Sequence, residues 1–321
     1  MEFFQDVNVD WMSKKWYFLG FSLIVTVAGL LSMLFWHGIP RGVDFTGGTI
    51  VNVKFSEQVH EDQIREALAK AGVKDEKVQG VGPASNNEFM ISMGVTSADE
   101  KALDAGKQTV INALNSSPLA GKYELRGGSI VGPQVGAQLR NQALLASLYS
   151  LGGMLIYLAF RFEFIYGVAA VVAVFHDTLF TLGVFSLTNT ELSLTVIAAL
   201  LTLIGYSMND TIVVFDRIRE NAKIMRRESM RELVNKSINQ TLSRTILTSG
   251  LTFLTVISLY LFGGEVLHGF SFALVIGILI GTYSSIAVAA PMLVAYQGAR
   301  AERQGRLSAE RTENRRDKVR A

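Results

Sequence analysis

Asp210 lies in the stretch "IGYSMNDTIVVFDR" (204–217), with Asn209 beside it and apolar residues on both sides. Insertion scales put the cost of an aspartate at the centre of a membrane helix at roughly 2.5–3.5 kcal/mol, so such a residue faces the protein interior and finds partners. The chemistry open to it there is proton uptake and release. Low dielectric favours the neutral acid, and a nearby cation favours the anion. The candidate cation is Arg244, in "LSRTILTSGLTFLTVISLYLFGG" (242–264), with Thr248, Thr252 and Thr255 on nearly the same helical stripe. A second titratable pair, His176 and Asp177, stands in "VAVFHDTLFTLG" (172–183). Histidine titrates near neutral pH, so His176, Asp177 and Asp210 have the composition of a proton relay. Two readings stand for each group. Asp210 and Arg244 are either a proton-linked, switchable pair or a static ion pair joining two helices. His176 and Asp177 are either part of a relay or a hydrogen-bonded pair that fixes packing.

Other chemistries find no support in the residue types. The chain has no cysteine and only four histidines, which excludes thiol catalysis and cysteine metal sites. No compact spacing of His, Asp and Glu reads as a zinc site. There is no serine–histidine constellation and no nucleotide signature, so a hydrolase is not expected. In "RGVDFTGGTI" (41–50) a phosphate-binding loop would need a following Lys-Ser/Thr and a helix, and neither follows. Asp44, Gly47 and Gly48 are read instead as a structural hinge, the glycine pair serving a tight turn or a close backbone approach. No metal, cofactor or nucleic-acid partner is expected.

These residues need a membrane bundle to position them. With 49% hydrophobic and 18% charged residues, the chain is too apolar for a typical soluble protein and too charged for one wholly in lipid. The run 16–36, preceded by Lys14 and Lys15, is long enough to span hydrocarbon. It is too long for a signal-peptide core and lacks a small-residue cleavage site, so it reads as an uncleaved first helix. Further spans are expected near 143–160, 164–187, 192–215, 245–262 and 270–296. The positive-inside rule places the Arg/Lys-rich loop 216–243 and the basic tail 298–321 in the cytoplasm with the N-terminus. The tail reads as a solvated topology anchor or an interaction arm. Asp210 then sits on the order of 9 Å inside the cytoplasmic boundary. On its helix Thr202, Gly205, Tyr206, Asn209 and Asp210 share one arc, with Leu200, Ile204, Met208, Thr211 and Phe215 mostly opposite. Gly205 would admit a close helix neighbour.

Between the first and second spans the pattern changes. "TIVNVKF" (49–55) alternates like a strand, and "EDQIREALAKAGV" (61–73) has helical spacing. "KVQGV" (77–81) and "EFMISMGV" (88–95) read as strands joined by the loop "GPASNN". Ser97 and Glu100 form a capping box opening a second helix, and "YELRGGSIV" (123–131) closes with a strand. The order β-α-β-β-α-β is the ferredoxin-like split arrangement, which hosts many tasks and names none. The expected fold is a polytopic α-helical membrane protein of six transmembrane helices with a ferredoxin-like βαββαβ periplasmic domain between helices 1 and 2. Its parts are an N-terminus and first helix over 1–37, the periplasmic domain over 38–139, helices 2–6 over 140–297 and the tail.

The strings "GVDFTGGT", "VGPQVG", "FRFE", "HDTLFTLG", "IGYSMNDTIVVFDRIRE", "RTILTSG" and "YLFGG" follow in that order and cover nearly the whole chain. Together they resemble the SecF family of bacterial protein-export subunits, within the SecD/SecF group of the resistance-nodulation-division superfamily. The resemblance implies a non-enzymatic inner-membrane subunit that pairs with SecD and associates with the SecYEG channel and YajC. It implies use of the proton-motive force to complete export of unfolded preproteins, with the ATP-driven push coming from SecA. It also implies a part in proton conduction for the residues at positions Asp210 and Arg244. The alternatives are a half-size efflux transporter of lipid or small hydrophobic molecules, and a passive scaffold of the export machinery.

Overall fold

A computed structural model describes residues 8–73, 76–81, 84–94, 100–225, 227–296 and 298. Backbone in hydrocarbon must close its hydrogen bonds within each segment, and the long apolar stretches do so as six helices long enough to span a bilayer. The first is α1 (Lys15–Leu31), continued by a π turn over Ser32–Trp36. A short helix α2 (Val43–Thr46) leads into the extramembrane domain. The other five are α5 (Pro133–Arg161), α6 (Phe164–Leu187), α7 (Leu194–Ile224), α8 (Met230–Phe262) and α9 (Gly264–Ser284), the last continuing through a π segment at Ser285–Ala289.

The helices extend further than their apolar runs. The expected loop 216–243 is mostly helix: α7 runs on to Ile224 and α8 begins at Met230. The reason is local. Arg, Lys and Glu are good helix formers outside the bilayer. Ser229 caps α8 in a capping box with Glu232, its Oγ accepting from the Glu232 amide at 3.3 Å. This helical extension also receives the N-terminal segment. Asn235 Oδ1 accepts from the Trp11 amide at 2.7 Å, and Asn239 Oδ1 accepts from the Trp11 indole at 3.0 Å.

The extramembrane domain has the expected order: β1 (Gly48–Phe55), α3 (Glu61–Lys70), β2 (Glu76–Val81), β3 (Glu88–Gly94), α4 (Glu100–Asn115) and β4 (Tyr123–Val131). The strands form one antiparallel sheet in the order β2-β3-β1-β4, the split βαβ topology. Alternation along β1 turns Val51, Val53 and Phe55 toward α3 and α4, where Ile64, Leu68, Val110 and Leu114 close a single core. The capping residue expected at Ser97, and the tail beyond 298, lie outside the described residues.

Among the membrane helices, α9 packs against α6, α7 and α8, while α1 lies along α6. Glycine sets the closest approach. A Cβ on Gly29 would stand 2.6 Å from the Gly183 Cα, so the α1 and α6 backbones touch there.

Candidate functional site

The bundle buries two carboxylates, Asp177 on α6 at 1% exposure and Asp210 on α7 at 2%. Small residues on α9 make this possible, since a Cβ on Gly281 would come within 3.0 Å of the Ser207 Cβ on α7. Asp210 Oδ2 accepts from Ser249 Oγ on α8 at 2.8 Å and from Thr282 Oγ1 on α9 at 3.4 Å. Asp177 Oδ2 accepts from Ser207 Oγ on α7 at 2.5 Å and from Ser284 Oγ on α9 at 2.7 Å. Its Oδ1 lies 2.9 Å from His176 Nδ1, and His176 Nε2 is hydrogen-bonded to Ser22 Oγ on α1. The carboxylate pair therefore ties α1, α6, α7, α8 and α9 together through hydroxyl groups.

Hydroxyls suit a carboxyl group that changes charge. Each donates to the anion and, after rotation, accepts from the neutral acid. A fixed cation would hold one state. Among the described residues no ion pair joins Asp210 and Arg244: the arginine is exposed on α8 and its charge acts on Asp210 only through space. Thr248 and Thr255 are exposed with it and Thr252 is half-buried, so the expected stripe exists but faces away from the core.

The arc expected on α7 divides in the same way. Asp210 is buried, whereas Thr202, Gly205 and Asn209 are exposed and Tyr206 is half-buried. About 100° separates consecutive residues, so Asn209 and Asp210 look in different directions. Among the described residues Gly205 has no neighbour within 4 Å for an added Cβ, so it serves no close contact there. The residues set opposite the arc, Leu200, Ile204, Met208, Thr211 and Phe215, are all buried, so apart from Asp210 it is this side of α7, not the polar one, that faces the core. The hydroxyl partners Ser22, Ser207, Ser249, Thr282 and Ser284 escaped the sequence reading. Single serines and threonines are common in membrane helices, bonding their own backbone, and carry little individual signal.

At the domain junction Asp44 Oδ2 accepts from the Leu194 amide at 2.8 Å and so caps the start of α7. Gly47 and Gly48 have φ of 78° and 150°. An added Cβ would meet the Pro133 Cα at 2.8 Å on Gly47 and the Met93 carbonyl oxygen at 2.1 Å on Gly48. Both uses of the glycine pair are observed: Gly47 makes the turn that ends α2, its amide donating to the Val43 carbonyl, and both glycines allow close backbone approach. The segment is a packed junction joining β1, β3 and the start of α5.

The family profile described as "Protein export membrane protein SecD/SecF, C-terminal" matches residues 112–299, and the "SecD/SecF GG Motif" profile matches residues 35–59, which contain Gly47 and Gly48. The chain is 53% identical to the protein translocase subunit SecF of Koribacter versatilis, over 94% of this chain and 95% of that protein. It is 39% identical to the SecF subunit of Escherichia coli O157:H7, over 88% of this chain and 86% of that one. The crystal structure of SecDF, a translocon-associated membrane protein from Thermus thermophilus, superposes with a TM-score of 0.77 at 37% identity. That match covers 91% of this chain but 39% of the larger SecDF chain. By sequence profile, by relatives along its full length and by fold, the chain belongs to the SecD/SecF family of protein-export membrane proteins.

Proposed function

We propose that this multi-pass membrane protein is a subunit of the Sec protein translocase that, with SecD, couples the proton-motive force to late steps of preprotein export. The observation that carries the coupling is Asp210: a buried carboxylate held by hydroxyls on two neighbouring helices, able to stay satisfied in either charge state. Asp177 and His176 form a second hydroxyl-bonded group that reaches α1, and in this reading they serve as further proton carriers beside Asp210. Each elementary charge moved across the membrane releases about 2.3 kcal/mol per 100 mV, enough for a few protons to shift a helix packing equilibrium.

The outward polar strip supports a membrane partner. Arg244 is exposed at the edge of its expected span with Thr248 and Thr255 further along the same stripe, and Asn209 is exposed on the adjoining helix, inside its span, where a polar group is costly against lipid. A second helical subunit covering this face removes that cost, and the matched SecDF chain is more than twice this length. In this reading the termini are cytoplasmic, the extramembrane domain lies on the outer side of the bacterial inner membrane, and SecYEG and YajC are neighbours in the assembly.

The test is Asp210→Asn in cells and in inverted vesicles. The expected outcome is normal abundance and normal assembly with SecD, with loss of the potential-dependent part of export. Full potential-dependent export in the mutant removes the proton reading, and loss of the protein itself favours a scaffold.

A further inference from the structure

The loop between α6 and α7 is fastened to the extramembrane domain at several points. The Leu192 amide donates to the Pro40 carbonyl at 2.7 Å, and the Gly42 amide donates to the Leu192 carbonyl at 2.8 Å. Gln79 Nε2 on β2 donates to the Asn189 carbonyl at 2.7 Å. Glu191 stands at the centre of this contact with 7% exposure. Its Oε2 accepts from Ser92 Oγ on β3 at 3.2 Å, and its Oε1 lies 3.8 Å from Lys77 Nζ on β2.

This is a poor seat for an anion. One neutral hydroxyl bonds the carboxylate, the ammonium is beyond hydrogen-bond distance, and Lys77 also donates to the Arg41 carbonyl at 3.4 Å. Buried charge is tolerated only with good pairing and satisfied lone pairs. The neutral acid suits the seat, since it needs less solvation and can still bond Ser92.

We propose that Glu191 is a second protonation site of this chain and acts as a clasp. Protonated, it holds the extramembrane domain against the start of α7; ionised, it leaves its seat and releases the domain. The groups facing it from the packed elements are Lys77 on β2, Ser92 on β3 and Asp44 on α2. Burial pushes its carboxyl above the usual glutamate range, Lys77 and Ser92 pull it back, and Asp44 pushes it up again, with a net rise. A proton held more tightly in the seated state favours that state as pH falls. The preference is lost as pH rises through the range of the seated group. Helix α7 thus has a proton-operated contact at its domain end and Asp210 in its core.

The absence of cysteine allows site-specific labelling of the full chain in complex with its membrane partner. Spin labels at Glu57→Cys and Thr188→Cys, both exposed positions, report the separation of domain and loop in lipid nanodiscs. As pH is raised from the ordinary glutamate range upward, the population at the seated distance is expected to fall. The ratio of seated to released forms should change by up to about tenfold for each pH unit by which seating strengthens proton binding. Glu191→Gln, which keeps an acceptor for Ser92, is expected to stay seated at every pH. Asp210→Asn is expected to keep the wild-type response, because this distance needs no export activity. A distance distribution independent of pH in the wild-type background overturns the clasp. So does a pH response that survives in Glu191→Gln, or one that disappears in Asp210→Asn.

Discussion

Ser249 Oγ donates to Asp210 Oδ2 at 2.8 Å, while Arg244, on the same helix α8, is exposed and acts on that carboxylate only through space, beyond ion-pair distance. At about 100° per residue the two positions are roughly 140° apart around the helix, so the hydroxyl and not the guanidinium makes the direct bond. Gain of a proton at Asp210 therefore breaks no ion pair among the described residues. Its one O–H can reverse the sense of one of the two hydroxyl bonds, to Ser249 on α8 or to Thr282 on α9, while the other hydroxyl goes on donating.

Ser249→Ala removes the shorter of the two bonds to Asp210. The expected cost is about 1 kcal/mol, the usual net worth of a buried or interhelical hydrogen bond. It should appear as a lower thermal midpoint of the complex in detergent and as reduced potential-dependent export. Ser249→Thr keeps the hydroxyl and should retain most of both. Thr282→Val, which loses a bond of 3.4 Å, should do less damage than Ser249→Ala. The reverse order of the two variants would mean that α9, not α8, holds Asp210.

Residues with a strong period were legible in the sequence. The limits of α6 coincide with those of its apolar run, which charges flank at Glu163 and Glu191, while β4 matches its expected bounds although it is exposed along nearly its whole length and carries no alternating burial. The ends of α7 and α8 were not, since a charged helix outside the bilayer has no apolar signature to count. The site was half visible. A carboxylate in an apolar run announces itself, so Asp177 and Asp210 were found. Which neighbour each one faces depends on helix rotation, and a rotation of one residue exchanges Arg244 for its neighbour Thr245. Asn235 and Asn239 went unread for the same reason, as nothing local foretells that Trp11 returns to them across the whole length of the chain.

Gly48 tests whether the glycine pair is needed for close approach or only for its backbone angle. Gly48 and Gly127 have similar φ, 150° and 153°, yet a Cβ on Gly127 meets nothing within 4 Å while one on Gly48 meets the Met93 oxygen at 2.1 Å. Both alanine variants should lose roughly 1–3 kcal/mol from backbone strain. Gly48→Ala must in addition push β3 away from β1, breaking the register Gly48 opposite Gly94. Protease digestion of the extramembrane domain in right-side-out vesicles is expected to be fast for Gly48→Ala and near wild type for Gly127→Ala. Equal susceptibility would reduce the pair to a conformational requirement.

Lys77 offers a test of the clasp whose direction is set by charge. Its ammonium lies 3.8 Å from Glu191 Oε1 and opposes the rise that burial imposes on that carboxyl. Lys77→Met keeps most of the aliphatic stem and removes the charge. The seated neutral acid loses nothing by this, the seated anion loses an attractive charge, and the released form, in water, is little changed. The seated state is therefore less populated wherever Glu191 ionises, and unchanged at acid pH where the carboxyl is neutral in both forms. Release at alkaline pH should be more complete in Lys77→Met than in the wild-type background, read from the same pair of labels. A seated population that falls equally at acid pH would mean that Lys77 holds the domain itself, through its bond to the Arg41 carbonyl, and not through the charge of Glu191.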